Sequence, residues 1–475
     1  MLITHNDSSV IIDPWLIGSA YWRSWWNYPK SYFEEDQIKK VDAVILSHIH
    51  WDHWHGPTLK KFFKEKHFII PDEPGMRSEH DLKNIGVSNI TRLKNGKTLK
   101  IKDINIRLYQ FGLYLNDAAV VVECDNHKIL NANDAKIAGA SLKNLLTKEG
   151  NIDFAFRSHS TANARACYKI ISSDTNFDDN EHYLRSFKLF MDKVKPRFAI
   201  PFASNHCHLH AESFKFNKLI SNPYLLEKYL KQYNLDWSFQ IMLPGSSWNE
   251  TSGFTHLYSE DIFIDLPKKL SIYKQQVSDT LSKQDYKENK VTIDSRILQR
   301  YVAMLPSLRN VPKKFQRPFY IKLTFPKNEP LCYEVKMIQG KYLVELMHSK
   351  SVTNCPLIIM PAIIFRDSVL KNMFHHAAIS KRCEFNGANL EDVKLLSYWQ
   401  NKLEKNELIG YHSINKEYLF RSIKAYSRRL PEIMVYFKAF VLLKIFKLPI
   451  YQVEELILSE KWFGKKHGNY SLIER

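Results

Sequence analysis

The apolar run Val41-Asp42-Ala43-Val44-Ile45-Leu46 leads through Ser47 straight into His48-Ile49-His50-Trp51-Asp52-His53. The run reads as a buried strand, and a strand that stops in a tight loop can aim the next side chains at one point. Imidazole nitrogen and carboxylate oxygen are the donors that a borderline divalent cation such as Zn²⁺ or Fe²⁺ accepts. An isolated H-x-H is common in His-rich surface loops, whereas H-x-H-x-D-H at a strand end is not. The stretch therefore predicts a metal centre holding His48, His50, Asp52 and His53.

One loop cannot close such a centre, so further ligands must come from later in the chain. Asp134, in Asn131-Ala132-Asn133-Asp134, follows a strand ending at Leu130 and is the candidate carboxylate facing the His loop; the alternative is an ordinary turn aspartate. His206-Cys207-His208-Leu209-His210 follows a strand ending at Phe202, and an imidazole ligand is expected there. His159 is a weaker candidate, since lone histidines are more often structural. Asp13 ends a neighbouring strand and is expected to orient a ligating imidazole through its other ring nitrogen. His55 and His67 are read as non-ligands. Adjacent helical residues point in different directions, so His375 and His376 are read as structural or exposed.

The length of 475 residues suits two domains, and 44% hydrophobic content suits real cores. Residues 1–260 read as strands alternating with helices, with a hairpin at Asp125-Asn126. The polar stretch 261–300 reads as a linker. Residues 301–475 read as a second domain of mixed α+β type, with a small antiparallel sheet near 320–346 and mainly helical patterning from 390 onward. The net charge of +18 favours an anionic partner, although a Lys-rich composition alone can produce it. Scattered cysteines and the absence of a signal peptide suggest reduced thiols and a cytoplasmic protein. The apolar run from Ile433 to Ile450 is interrupted by Lys438, Lys444 and Lys447 and by Pro449, which favours a buried helix over a transmembrane one. A helix lying in a membrane surface is the alternative.

The His loop resembles the signature of the metallo-β-lactamase superfamily. Ile12-Asp13-Pro14-Trp15-Leu16, Gly18-Ser19-Ala20, Trp25-Trp26, Pro57-Thr58-Leu59-Lys60-Lys61, His127-Lys128-Ile129-Leu130-Asn131, Pro196-Arg197 and Pro201-Phe202-Ala203 are similar to the catalytic domain of the CMP-N-acetylneuraminate hydroxylases. The similarity spans roughly residues 8–250. It implies an α/β fold of the αββα sandwich type, with one or two Zn or Fe ions held by His48, His50, Asp52, His53 and Asp134. The late histidine matches best at His210, with His206 and His208 close by. The family's further histidine, just before the Asp-bearing strand, is replaced here by Leu113. The Rieske module of those hydroxylases needs C-x-H and C-x-x-H pairs; Cys207-x-x-His210 has no C-x-H partner, so an internal electron-delivery module is not expected.

The resulting expectation is a metal-dependent hydrolase acting on an anionic, phosphorylated or nucleotide-sugar-like small molecule through an activated water, with Asp52, Asp134 and His159 as catalytic candidates. Tyr114, His159 and Trp22, Trp25 and Trp26 are candidates to line the cavity, with core packing favoured for the tryptophans. Lys136, Arg157 and Arg165 are candidates to meet a phosphate, with ordinary surface roles as the alternative. An iron-dependent oxygenase served by an external electron donor is the second reading. A catalytically degenerate basic binding protein is the third; nucleic acid is not the expected partner.

Overall fold

The computed structural model describes residues 1–112, 117–162, 164–173, 177–347, 354–409 and 416–461. Leu113 and Tyr114 lie outside the described residues. Two sheets face each other in the first half of the chain. One has the order Leu2–His5, Ser8–Ile12, Ala43–Ile45, His67–Pro71, Ile90–Leu93, with every pair after the first parallel. The other has the order Ser238–Phe239, Phe198–Pro201, Phe154–Arg157, His127–Asn133, Asp117–Cys124, Ile104–Phe111, Thr98–Ile101.

The two-residue period of a strand sorts the apolar side chains. Val10, Ile12, Ala43, Ile45 and Ile69 meet Ile104, Ile106, Leu108, Val120 and Val122 between the sheets. Ile11, Val44, Phe68 and Ile70 turn outward to Leu59, Phe63 and Leu82 of the helical layer. On the far side, Ala119, Val121, Leu130 and Ala132 lie under Leu142, Leu145, Phe187, Phe190 and Met191 of the helices Gly139–Glu149 and Asn180–Val194. Both faces of each central strand are covered, which is why these strands read as unbroken apolar runs. The result is the expected helix–sheet–sheet–helix sandwich.

The expected sheet near 320–346 is present and larger. Its order is Tyr168–Ile170, Glu384–Gly387, Leu357–Pro361, Phe319–Thr324, Leu331–Ile338, Lys341–Leu346, so the first half contributes an edge strand to it. Residues 261–300, expected as a linker, are mostly helical: Leu266–Gln276, Ser278–Asn289 and the start of Ser295–Met304. Leu270 and Leu281 pack against Trp26, Cys207 and Leu209, while Ile297 and Tyr301 pack with Trp22, Trp25, Phe319 and Phe365. The polar composition marks solvent faces of helices whose few apolar side chains are buried. The packing also crosses the expected boundaries elsewhere. Tyr21, Trp22 and Trp25 share a core with Phe385 and Trp399, and Val435, Leu442, Val453 and Leu456 close the core over the second sheet. All six cysteines are free thiols. Among the described residues, no helix is long and apolar enough to cross a membrane.

Candidate metal centre

The centre sits at the C-terminal ends of strands from both sheets. Strand Ala43–Ile45 delivers the His loop, and the parallel strand Ser8–Ile12 beside it delivers Asp13. Asp13 stands in the left-handed region at φ 47° and its amide donates to the Ile45 carbonyl. Its carboxylate accepts from the Ser47 amide (2.8 Å) and hydroxyl (2.6 Å) and meets His53 Nδ1 at 2.8 Å. That contact turns His53 Nε2 toward Asp52 Oδ2 (3.5 Å) and Asp134 Oδ2 (3.4 Å). Asp134 arrives from strand His127–Asn133 of the facing sheet, and its amide donates to Asn133 Oδ1.

Two groups of donor atoms form, each with all atoms within 4.8 Å of one another: His48, His50 and Asp134, and Asp52, His53 and Asp134. Asp134 is common to both. His48 Nε2 and His50 Nδ1 are 2.8 Å apart. The Ser47 hydroxyl lies 2.9 Å from the other His48 nitrogen. The Tyr21 hydroxyl donates to Asp52 Oδ1 at 2.6 Å.

Burial governs the protonation of these groups. It pushes His48 down to about 3, helped by neighbouring His53, and carries His50 well below the ordinary imidazole range, helped by His48. Both are therefore neutral, with lone pairs available. Burial raises the Asp52 carboxyl, and the Asp134 charge adds to this. Burial also acts to raise Asp134, but the hydrogen bond and charge of His53 outweigh it and hold that carboxyl low. Burial opposes a charge on His53, yet Asp52 and Asp13 raise it well above the ordinary value.

The other expected residues are not members of these two groups. Of the expected trio His206, His208 and His210, the first two stay together with ring centroids 5.3 Å apart and His210 departs. Strand His206–His208 pairs with Trp25–Asn27, and His206 stacks on Trp25 with ring centroids 3.9 Å apart. Burial takes His206 down to about 3, with Lys381 assisting and Asp134 opposing. His208 lies against the edge of Trp25 and near Ser24. His210 falls past the strand end and forms a different group with Asp285 and Glu288, so it does not take the expected place beside Asp134. His159 is fully buried, with the Ser204 hydroxyl accepting its amide proton, and burial takes its ring to about 3.

Trp22 and Trp25 donate to Asp367 and the Ile379 carbonyl within the core. Lys136 pairs with Glu454, Arg157 lies over the Phe190 ring and Arg165 over the Tyr451 ring, which engages all three cations proposed for a phosphate. His55 is held by Thr58, and His67 by Thr91.

Three contributors escaped the sequence reading. His375, read as structural or exposed, brings Nε2 to 2.7 Å from His50 Nε2, and Glu404 Oε2 lies 3.6 Å behind it. His376 meets the Ile49 carbonyl at 3.1 Å. Asp117 is a buried carboxyl beside this cluster, pushed up strongly by burial and then by Asp134; its Oδ1 has no hydrogen-bond partner among the described residues. A strand-starting aspartate next to Asn116 carries no signal of its own in the sequence.

Residues 1–113 match a family model described as a beta-lactamase superfamily domain. The first half of the chain has the metallo-β-lactamase fold. This metallo-β-lactamase-fold chain is 31% identical over 137 residues to the cytidine monophosphate-N-acetylneuraminic acid hydroxylase of Mus musculus, which covers 27% of this chain and 24% of that protein. It thus spans about a quarter of the length of that curated relative. Among solved structures, it is similar to an isothiocyanate hydrolase from Delia radicum gut bacteria (TM-score 0.35, 14% identity, 51% of this chain and 93% of that one). It is also similar to CmlA, a diiron β-hydroxylase from Streptomyces venezuelae (TM-score 0.33, 13% identity, 50% of this chain and 51% of that one).

Proposed function

We propose that this protein is a metal-dependent hydrolase that binds one or two divalent cations and cleaves an anionic substrate. The observation that carries the reading is Asp134, whose carboxylate is common to both donor groups. Neutral imidazoles and carboxylates fit Zn²⁺ or Fe²⁺. His48, His50 and Asp134 would hold one cation, and Asp52, His53 and Asp134 the other. When bound, such a cation supplies Lewis acidity toward a substrate oxygen and lowers the pKa of water, to about 7 in favourable zinc sites.

The chain's own groups have separate tasks. Asp13 fixes His53 so that Nε2, and not Nδ1, faces the centre. Tyr21 anchors Asp52 through Oδ1, which leaves Oδ2 on the side of the centre. The raised pKa of Asp52 suits that oxygen to take a proton from an attacking water. Asp117 is a second carboxyl able to hold a proton at the same place. The +18 charge supports an anionic substrate, phosphorylated or nucleotide-sugar-like.

The second reading is an iron-dependent oxygenase with an external electron donor. The 31% identity over 137 residues to a protein named as a hydroxylase favours it. One experiment separates the two: load the protein anaerobically with zinc, manganese or iron and assay a chromogenic aryl phosphodiester and a CMP-sugar with and without oxygen. Oxygen-independent cleavage supports the hydrolase. Turnover seen only with iron, oxygen and a reductant replaces it with the oxygenase.

A further inference from the structure

The helix Leu430–Phe440 and its continuation Val441–Ile445 are apolar on two opposite sides. Val435 and Leu442 are buried in the core over the second sheet. Leu430, Ile433, Met434, Phe437 and Phe440 recur at helical spacing on the other side, and with Ile445 they are 50–63% exposed. Leu419, Phe420 and Ile423 of the preceding helix Lys416–Tyr426 are 56–67% exposed. A surface helix with one core to face normally keeps its other side polar. Large exposed apolar patches mark interaction surfaces.

Charge selects the occupant. Residues 416–447 hold eight Lys and Arg against two acidic residues. Glu417 pairs with Arg421 and Glu432 with Arg429, so both acids are already engaged. Lys416, Lys424, Lys444 and Lys447 are exposed along the same segment. We propose that this apolar face with its bordering lysines docks the protein onto an anionic lipid bilayer, lying in the interface without crossing it. No helix among the described residues is suited to cross. A second copy of the chain fits the face less well, because a two-fold contact would set lysines against lysines between molecules each carrying +18. The face is tied to the metal-bearing sandwich: Arg429 donates to the Gly112 carbonyl and the Gly112 amide donates to Glu432, at the end of the strand that pairs with Asp117–Cys124. Docking therefore holds the rim of that half close to the lipid surface.

The test is flotation of the full-length protein with phosphatidylcholine vesicles, with and without phosphatidylglycerol. The expected result is binding to the phosphatidylglycerol vesicles that weakens with salt. Binding should fall about tenfold or more in the double variant Met434→Glu/Phe437→Glu, and the anionic preference should shrink in Lys444→Gln/Lys447→Gln. Both replaced apolar side chains are exposed, so circular dichroism and melting temperature should stay as in the parent. Absence of flotation with either vesicle overturns the proposal. So does a parent that sedimentation shows to be a dimer, that does not float, and that Met434→Glu/Phe437→Glu converts to a monomer, since the face is then an interface between copies.

Discussion

His50 and His375 meet through their Nε2 atoms at 2.7 Å, although 325 positions separate them in the chain. The contact leaves His50 Nδ1 on the side of His48, so one nitrogen of His50 faces the centre and the other is held from behind. Glu404, itself held by Gln400, stands next to His375. The second half of the chain thus reaches the rear of a candidate ligand, an arrangement that fixes ring orientation and tautomer in metal sites.

Replacing His375 should therefore loosen the metal without destroying the donor set. His375→Ala is expected to weaken binding at the His48/His50 position by about 10–100-fold, with partial recovery in His375→Asn. Chelator competition monitored by metal release measures this. Equal affinity in parent and variant would show that the contact has no positioning role.

Asp134 serves both groups, whereas Asp52 serves one. Elemental analysis after reconstitution should find about two ions per parent chain, about one in Asp52→Ala and close to none in Asp134→Ala. Retention of both ions in Asp134→Ala would refute the shared-carboxylate arrangement. An unchanged melting temperature in the apo proteins controls for folding.

Arg382 is buried and forked onto Glu288 through two bonds of 2.7 Å, with Glu212 accepting from Nε at 2.7 Å. Arg382→Met leaves the buried Glu288 charge without its partner, and urea denaturation should show a loss of about 3–5 kcal/mol. Adding Glu288→Met should restore much of it, because the uncompensated charge is then gone. A double variant as unstable as the single one would mean that packing around Arg382, and not charge, is decisive.

Docking of helix Ile450–Leu458 onto Asn180–Val194 should depend on pH through His182, which meets Glu454 at 2.8 Å and Glu455 at 3.1 Å. Burial disfavours a proton on His182, but these two carboxylates outweigh it and raise the group. A raised histidine contributes stability that is complete below its unfolded value of about 6.5 and is lost as pH rises through the folded value. Burial likewise works to raise both glutamates; the opposing Lys136 charge and His182 hydrogen bond hold Glu454 low, and the bonds to His182 and Arg185 hold Glu455 low. Their contribution is present above about pH 4.5 and is lost as pH falls through the lowered values. The gap in melting temperature between parent and His182→Gln should accordingly be widest near pH 5–6 and narrow toward pH 9. A gap independent of pH would rule out an ionic contribution.

The His loop and its flanking motifs carry the resemblance that implied the sandwich, and the sequence by itself placed His48, His50, Asp52 and His53 in one loop. The strand before His48 is written in a contiguous apolar run, Ala43 to Leu46, and the His loop and Asp13 lie at strand ends where chain direction alone limits what they can reach. Which late residues approach was decided by tertiary structure. His206, His208 and His210 look equivalent in one dimension, but pairing with Trp25–Asn27 holds His206 and His208 against Trp25, whereas His210 lies past the strand end beside Asp285 and Glu288. His375 and Asp117 carry no local mark, because a helical histidine or a strand-end aspartate is common and only the fold brings them to the His loop and Asp134. The helices over 261–300 were hidden for a related reason: a few leucines anchor long polar stretches, and average polarity does not reveal which side chains find a core.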